Sequence, residues 1–344
     1  MTATLGCGDW TCAILRRGGV VVEELDVPVA SATITRRVSQ TSEATIDIQS
    51  ARLCETITAR SWSHEAALYR DGSLAWVGPI VGRRISGDRL TLRARDVSAW
   101  LSRRFVRSSI SVVGVDAAEL GAVAVDAAML VDASPRIVVD WGAVGVRVSR
   151  TYRAEDYQYA MVALDDARDN GADWVVDGRA VLVGSARPTG VVGAVWGEHW
   201  ADEPDVEEDG LAAATRIVVA GKRTNHVQPV GVFEDGDATA RWGLLEQRFQ
   251  DDTATTSSTA AESARVAVDQ RSAPVVFVAS GTLSAAAPVA YGDLVPGARL
   301  SATVRGAGTI DSVIVAVTTR IAPGSEGVAV DLEAVGGIGG LSGA

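Results

Sequence analysis

The chain has 344 residues, a formal net charge of −11 at pH 7 and a hydrophobic fraction of 47%. That length allows two or three domains with their own cores, and no apolar run reaches the roughly 18–20 residues that a membrane-spanning helix needs. The acidic balance argues against a general nucleic-acid-binding protein, because neutralising phosphates requires clustered Lys and Arg. Residues 1–19 lack the basic start and apolar stretch of a signal peptide, so we expect a soluble protein made in the cytoplasm.

The first 110 residues have the pattern of antiparallel β-structure. Arg16 to Gly19, Asp71-Gly72 and Ser86 to Asp88 each separate two apolar segments, and glycine supplies the positive φ of a tight hairpin turn. After the third turn, residues 90–94 alternate between apolar and polar side chains, which predicts a strand with one buried face. We therefore predict a β-rich domain over residues 1–110.

A helix is predicted directly after this strand. Val97, Trp100, Leu101 and Phe105 have the spacing of one apolar helical face. Asp96 precedes them, and a carboxylate at this position stabilises a helix N-terminus.

Residues 111–205 change in character and predict a small α+β domain. Helices are expected over the alanine-rich stretch 116–130 and over 155–170, with Gly171 placed to end the second helix. The Asp-Gly step at Asp177 indicates another hairpin.

The last part of the chain returns to β-structure. Residues 200–209 are acidic and contain Pro204, which favours a linker, and residues 206–335 predict a second β-rich domain. Residues 336–344 are rich in glycine and are expected to be a flexible tail. The fold class predicted for the chain is therefore mainly β with α+β, two β-rich domains flanking an α+β insert.

Motifs that would carry chemistry are scarce in this sequence. The P-loop, dinucleotide-binding, nucleophile-elbow and HExxH motifs do not occur. One acidic group with a single histidine is reminiscent of a metal site; its members are Glu198, His199, Asp202, Glu203 and Asp205. Because no second histidine lies at ligand spacing, a solvated linker is the favoured interpretation.

The other polar groups also have structural interpretations. Asp165, Asp166 and Asp169 share one face of a predicted helix, whereas glycoside hydrolysis needs two carboxylates opposed across a substrate. The arginine pairs at 83–84 and 103–104 favour ion pairs over phosphate binding, and nine tryptophans favour core and interface positions over sugar stacking. Three cysteines at positions 7, 12 and 54, without CxxC spacing, favour free thiols. We predict no catalytic residue, cofactor or metal.

Two stretches of the sequence resemble a known family. Leu74 to Ile80, Leu90 to Asp96 and Val97 to Arg104 are similar to a strand, strand and helix motif of minor tail proteins from siphophages that infect actinobacteria. Ser280 to Leu283 and Tyr291 to Gly297 resemble the last β domain of the same proteins. The motif residues, which are candidates for a family signature or an interface, are Trp76, Gly78, Ile80, Asp96, Trp100, Leu101, Arg103 and Arg104.

The resemblance implies a baseplate hub at the distal end of a phage tail. Such hubs are homotrimers whose subunits each contain two β domains that resemble tail-tube modules, so that three subunits match a hexameric ring above. The implied partners are further copies of the chain, the distal tail protein, the tape measure protein and other tip or receptor-binding proteins. The net charge of −11 adds the hypothesis that an acidic lumen repels DNA during its passage.

Two alternatives remain open at this point. The chain is either such a hub or a carbohydrate-binding or hydrolytic tail-tip protein with a site around Trp196 and Trp200. The sequence does not separate the hub of a siphophage from that of a contractile tail or a gene-transfer particle. An unrelated soluble enzyme would need a polar constellation that the sequence does not contain.

Overall fold

The computed structural model describes residues 5–25, 29–49, 59–211, 213–223, 227–251, 254–269, 271–272, 275–304 and 308–334. About 50% of the residues lie in strands and 20% in helices, which confirms the prediction of a mainly β protein. The chain divides into two compact units, one formed by Met1–Asp205 with Ala279–Glu333 and the other by Val206–Val278 with Ala334–Ala344. No helix among the described residues is long and apolar enough to cross a membrane.

Antiparallel strands make up the first part of the chain, as predicted. Their bounds are β1 (Trp10–Arg16), β2 (Val20–Leu25), β3 (Val29–Arg37), β4 (Glu43–Gln49), β5 (His64–Arg70), β6 (Ser73–Ser86) and β7 (Arg89–Arg95). They pair in the order β3-β4-β7-β6-β5-β1-β2. The predicted hairpin between β5 and β6 turns at Asp71 and Gly72, whose φ angles of 52° and 76° match the twist of the flanking strands.

Alternation along these strands builds the core. In the β4–β7 pair, Ile46 lies opposite Leu92 and Ile48 opposite Leu90, and all four side chains are at most 1% exposed. Each such burial stabilises the fold by about 1.5–3 kcal/mol.

The middle of the chain forms α+β structure around its own core. The elements are β8 (Ile110–Asp116), α1 (Ala117–Val131), β9 (Val138–Gly142), β10 (Arg147–Tyr152), α2 (Met161–Asp169), β11 (Trp174–Asp177) and β12 (Ala180–Gly184). β9, β11 and β12 make a small sheet, β8 pairs with β10, and the two helices pack on each other. Trp174 lies at the centre of this core with 1% exposure.

The helix predicted over 155–170 is shorter than expected. Ala154–Asp156 is a single 3₁₀ turn that ends at Tyr157, whose φ of 51° lies in the left-handed region. A non-glycine residue in this conformation interrupts an α-helix. The helix α2 therefore begins only at Met161 and ends at Asp169, just before the predicted stop at Gly171.

The second compact unit contains a small sheet covered by a helix. Ahead of it lie β13 (Val191–Trp196) and β14 (Asp205–Asp209), and its further elements are β15 (Arg216–Gly221), β16 (Val230–Glu234), α3 (Gly236–Trp242), β17 (Glu246–Asp251) and α4 (Ser257–Asp269). The sheet order is β16-β15-β17, with β15 parallel to β17. A Cβ at Gly231 would lie 2.0 Å from the backbone nitrogen of Ala261, so only glycine lets α4 come this close to β16.

The last strands join those of the first hundred residues. They are β18 (Val275–Leu283), β19 (Arg299–Val304), β20 (Gly308–Ala322) and β21 (Ser325–Ala334). Residues 316–321 of β20 pair antiparallel with residues 32–37 of β3, so the sheet runs β18-β21-β20-β3 and onwards through β4. The first part of β20, residues 308–313, pairs antiparallel with β19, and β19 in turn pairs in parallel with β13.

The predicted segment 206–335 is thus divided at Val278 between the two units. Ala279–Glu333 belongs to the same unit as the N-terminal strands, and its strand β20 hydrogen-bonds to β3. The assignment of 1–110, 111–205 and 206–335 as separate domains stays a prediction. The predicted flexible tail 336–344 and Cys54 lie outside the described residues.

Candidate functional site

The first motif residues lie on β6 and point into the protein. Trp76 is 4% exposed and Ile80 is fully buried. A Cβ at Gly78 would lie 1.7 Å from the carbonyl oxygen of Arg95 at the end of β7. These three positions therefore shape the crossing of β6 and β7, and their side chains present no surface to a partner.

Asp96 connects this crossing to the turn after β3. Its carboxylate accepts hydrogen bonds from the backbone amide of Ser42 at 2.6 Å and from the amide and hydroxyl of Ser98 at 2.9 and 2.5 Å. It is the N-cap of the segment Val97–Arg103, in agreement with its predicted position, although this segment is a 3₁₀ helix. Burial raises the pKa of Asp96, and the hydrogen bonds that it accepts oppose this effect.

The 3₁₀ helix anchors the α+β core to the N-terminal strands. Trp100 and Leu101 are 7% and 0% exposed and belong to the same buried cluster as Trp174. Trp62 packs edge-on against Trp100 with the ring centroids 5.1 Å apart. Trp62 is half-buried, and the buried Trp100 and Leu101 make packing contacts within the chain.

The two arginines of the motif have different surroundings. Arg104 Nη1 donates to the carbonyl oxygens of Ala128 at 3.1 Å and Asp132 at 2.6 Å, and Nη2 donates to the Asp132 carboxylate at 2.7 Å. These bonds satisfy carbonyl groups that the end of α1 leaves open. Arg103 is exposed, and its guanidinium lies 5.2 Å from the ring centroid of Trp62.

A positively charged groove of about 360 Å³ lies beside these arginines. We call it the arginine groove; its lining residues are Trp100, Arg103, Arg104, Phe105, Arg107, Ala128 and Asp132. Arg17 approaches from the turn after β1, 3.4 Å from the Asp132 carboxylate and 4.8 Å from the Trp100 ring centroid. Arg17 and Arg104 pair with Asp132, and Arg103 and Arg107 line the same groove, which leaves a local excess of positive charge on an acidic chain.

Exposed aromatic rings border this groove. Phe105 and Tyr159 stack with centroids 4.7 Å apart and planes 23° apart, and Tyr157 meets Phe105 edge-on at 5.9 Å. Their exposures are 40%, 42% and 69% for Phe105, Tyr159 and Tyr157. Aromatic side chains and arginine are the residue types that dominate the centres of protein interfaces.

A buried ion pair links strands β5 and β21. Arg70 on β5 donates two hydrogen bonds to Glu326 on β21, from Nε at 2.9 Å and from Nη2 at 2.6 Å. Trp10 Nε1 donates to the same carboxylate at 2.8 Å. The ring of Tyr291, from the second family motif, lies under Arg70 at 4.8 Å and edge-on to Trp10 at 5.5 Å.

The acidic group considered for metal binding is dispersed. His199 is buried, and its Nδ1 accepts from the Trp196 amide at 3.3 Å. Asp205 begins the strand β14, so the segment predicted as a linker is partly a strand. No group of three metal-ligating side chains occurs in the part of the chain that the structure describes.

The other candidate groups have partners of their own. Asp166 accepts from the Tyr152 hydroxyl at 2.7 Å, and Asp165 and Asp169 pair with Arg168. Trp200 is 6% exposed, and a Cβ at Gly281 would lie 2.4 Å from its ring. The Trp200 ring is therefore not available to stack on a sugar.

Sequence reasoning did not find two parts of this arrangement. Glu326 follows Arg70 by 256 positions, and no local pattern connects them. The charge at the groove depends also on Arg17, Arg107 and Asp132, which lie in three segments that are distant in sequence. The adjacent Arg103 and Arg104 gave a partial signal, as the motif contains them.

Comparisons with known proteins show similarity of fold to solved structures, and they show no related family or curated protein. No protein-family model matches the sequence, and no curated protein matches it. Among solved structures, the chain is similar to the 43 kDa tail protein of prophage MuSo2 from Shewanella oneidensis, with a TM-score of 0.61, 10% identity, and coverage of 94% of this chain and 98% of that chain.

Two further tail proteins match to the same extent. The prophage tail protein gp18 from Listeria monocytogenes EGD-e has a TM-score of 0.60 and 12% identity, with 93% of this chain and 94% of that chain covered. The tail protein from Neisseria meningitidis MC58 has a TM-score of 0.59 and 13% identity, with 94% and 96% covered. The chain therefore has the fold of phage tail proteins, over nearly its whole length.

Proposed function

We propose that the chain is a structural protein of a phage tail. The observation that carries this proposal is the match of its fold to three tail proteins over at least 93% of this chain and 94% of theirs. A match over nearly the whole of both chains is stronger support than a shared module, although function on a shared fold has to be tested separately. Of the carboxylates considered for glycoside hydrolysis, Asp166 accepts a hydrogen bond from Tyr152, and Asp165 and Asp169 pair with Arg168.

Within the tail, we place the chain at the distal end as the hub of the tip or baseplate. The resemblance of the segments 74–104 and 280–297 to minor tail proteins of siphophages motivates this position. A hub there joins the tube and the distal tail protein to tip or receptor-binding proteins and meets the tape measure protein. Three copies are proposed to enclose a channel through which DNA leaves.

On the basis of the sequence resemblance, we propose the two-module arrangement of a trimeric hub for this chain. The β3–β4–β7 strands and the β19–β20–β21 strands are separate in sequence, and the antiparallel pairing of β20 with β3 makes them one continuous sheet. Two β modules in each of three copies would present six modules to a hexameric ring. The domain limits 1–110, 111–205 and 206–335 belong to this proposal.

The position in the virion is tested on particles, and the oligomeric state on purified protein. Gold-labelled antibodies against the chain are expected to mark the distal end of the tail in negative-stain images, and labelling along the tube or on the head would contradict the proposal. Light scattering on the purified protein is expected to give three times the chain mass of 35.8 kDa, with ring-shaped images that have a central opening.

The hypothesis of an acidic lumen has its own test. With a chain charge of −11, DNA passing through the channel is expected to meet carboxylates that repel its phosphates. A map of the assembled tip with a neutral or basic lumen would contradict this mechanism and leave the structural role intact.

A further inference from the structure

We propose that the arginine groove binds the acidic segment 202–209 of a neighbouring copy of this chain, so that the two surfaces form the contact between subunits. This inference rests on the proposed function, because it assumes that copies of the chain assemble with each other. It adds which surfaces meet and which charges hold them.

The groove has the chemistry of a recognition site for carboxylates. Arg103, Arg104 and Arg107 line it, and Asp132 is the single carboxylate among its described lining residues. Arg104 and Arg17 already pair with Asp132 at 2.7 and 3.4 Å, which leaves the exposed Arg103 and Arg107 as the cations that a partner can reach. Arginine presents a planar fork of donors that suits a carboxylate.

Burial makes the positive charge of Arg104 costly. The Arg104 side chain is 13% exposed, and the loss of solvent lowers the pKa of its guanidinium; Asp132 opposes this effect, and Arg17 and Arg107 add to it. Cations held together in this way repel one another, so an incoming anion gains more than it would at an isolated surface arginine. The exposed rings of Phe105, Tyr157 and Tyr159 at the edge add apolar contact area.

The segment 202–209 is complementary to the groove. Six of its eight residues are carboxylates; they are Asp202, Glu203, Asp205, Glu207, Glu208 and Asp209. All but Asp209 are exposed, and no described arginine or lysine of the same copy lies within ion-pair distance of them. From Asp205 the backbone is the extended strand β14, which presents carboxylates along both faces.

A second copy is favoured over a nucleic acid as the occupant. The chain carries a net charge of −11, so a long polyanion is repelled by the molecule as a whole even if one groove attracts it. A short acidic segment on a copy of the same chain is present at equal concentration and has the right charge. Binding to the groove of another copy would also give the clustered carboxylates of segment 202–209 the arginine partners that they lack among the described residues of their own copy.

Charge reversal tests the contact on the full-length chain. The groove variant is Arg103→Glu with Arg107→Glu, and the segment variant is Glu207→Lys with Glu208→Lys. A third variant carries all four substitutions and so exchanges the charges. The matched control is Arg84→Glu with Arg93→Glu, at two exposed arginines on β6 and β7. It changes the net charge by the same amount as the groove variant.

The readout is the self-association constant from sedimentation equilibrium at low and high ionic strength, with thermal unfolding as the check on folding. We expect the groove and segment variants each to weaken association at least about tenfold at low salt. The variant with all four substitutions is expected to associate with a constant within about threefold of the wild-type value. High salt is expected to weaken the wild type and the exchanged variant alike.

Three results would overturn the proposal. The first is a wild-type chain that stays monomeric up to about 100 µM at low salt. The second is assembly that the groove variant weakens no more than the control does. The third is loss of assembly in the groove variant alone, which would give the groove another occupant. In each case the antibody labelling of the tail decides separately whether the proposed function holds.

Discussion

Replacing Glu326 by glutamine tests whether the buried ion pair holds strands β5 and β21 together. Its carboxylate accepts four hydrogen bonds, two from Arg70, one from Trp10 Nε1 and one from the amide of Gly6, at 2.6 to 3.0 Å. The side chains of Glu326 and Arg70 are 0% and 4% exposed. Glutamine keeps the shape, but its NH₂ group would face donors and the charge of Arg70 would lose its main partner.

The expected loss follows from the general cost of an unpaired buried charge. Removing one partner of a buried pair costs about 3–5 kcal/mol. Asp71 remains 2.9 Å from Arg70 Nη1 and compensates part of the charge, which favours the lower end, about 3 kcal/mol. For a unit of this size the midpoint of thermal unfolding is then expected to fall by about 6–12 °C.

Urea unfolding followed by tryptophan fluorescence measures this loss, because Trp10 lies in the affected site. The matched control is Glu43→Gln, which breaks a pair with Arg95 in which the side chains are 62% and 49% exposed, and it is expected to cost less than about 1 kcal/mol. Replacing the pair by Arg70→Met with Glu326→Leu is expected to recover most of the loss. Equal losses for Glu326→Gln and Glu43→Gln would refute the reasoning.

Three further substitutions follow from single contacts. Gly78→Ala places a Cβ 1.7 Å from a backbone oxygen and is expected to cost more than about 3 kcal/mol, whereas Gly190→Ala, with no atom within 4 Å, is expected to be nearly neutral in the same urea assay. Arg104→Ala leaves carbonyl groups at the end of α1 unsatisfied, and we expect a loss of about 1–3 kcal/mol, which an unchanged unfolding midpoint would contradict. The hydrogen bond from Arg89 holds the pKa of Asp47 below its ordinary value of 3.8. The wild type is therefore expected to be more stable than the Asp47→Asn variant at neutral pH, and this difference is expected to disappear as the pH falls below 3.8. Urea unfolding of the wild type and the Asp47→Asn variant between neutral pH and pH values below 3.8 measures this difference in stability. A difference that does not change with pH would contradict an ionic contribution of Asp47.

Local chemistry explains which parts of the fold the sequence could predict. The Asp71-Gly72 turn is predictable because only a few residue types accept the positive φ that a tight hairpin needs. Residues 90–94 alternate because the strand has one buried face, and Asp96 lies before a helix because its carboxylate accepts the amide of Ser98.

Contacts between distant segments explain what the sequence could not predict. The pairing of β20 with β3 joins residues 316–321 to residues 32–37, and no local sequence feature of either strand predicts this pairing. The same holds for Arg70 and Glu326. The helix predicted over 155–170 begins only at Met161 because the backbone of Tyr157 is left-handed, with a φ of 51°, and the apolar spacing does not predict this conformation.

The charges at the arginine groove also restrict how copies can assemble. Groove and segment differ in chemistry, so the contact joins unlike surfaces. Such a contact occurs twice across a two-fold axis, or each copy uses its groove towards one neighbour and its segment towards the other, which gives a closed ring or an open filament. A two-fold dimer saturates both surfaces with two copies, whereas a hub of three does so only with three. The mass at saturation, two or three times 35.8 kDa, therefore distinguishes the two geometries without further assumptions about the interface.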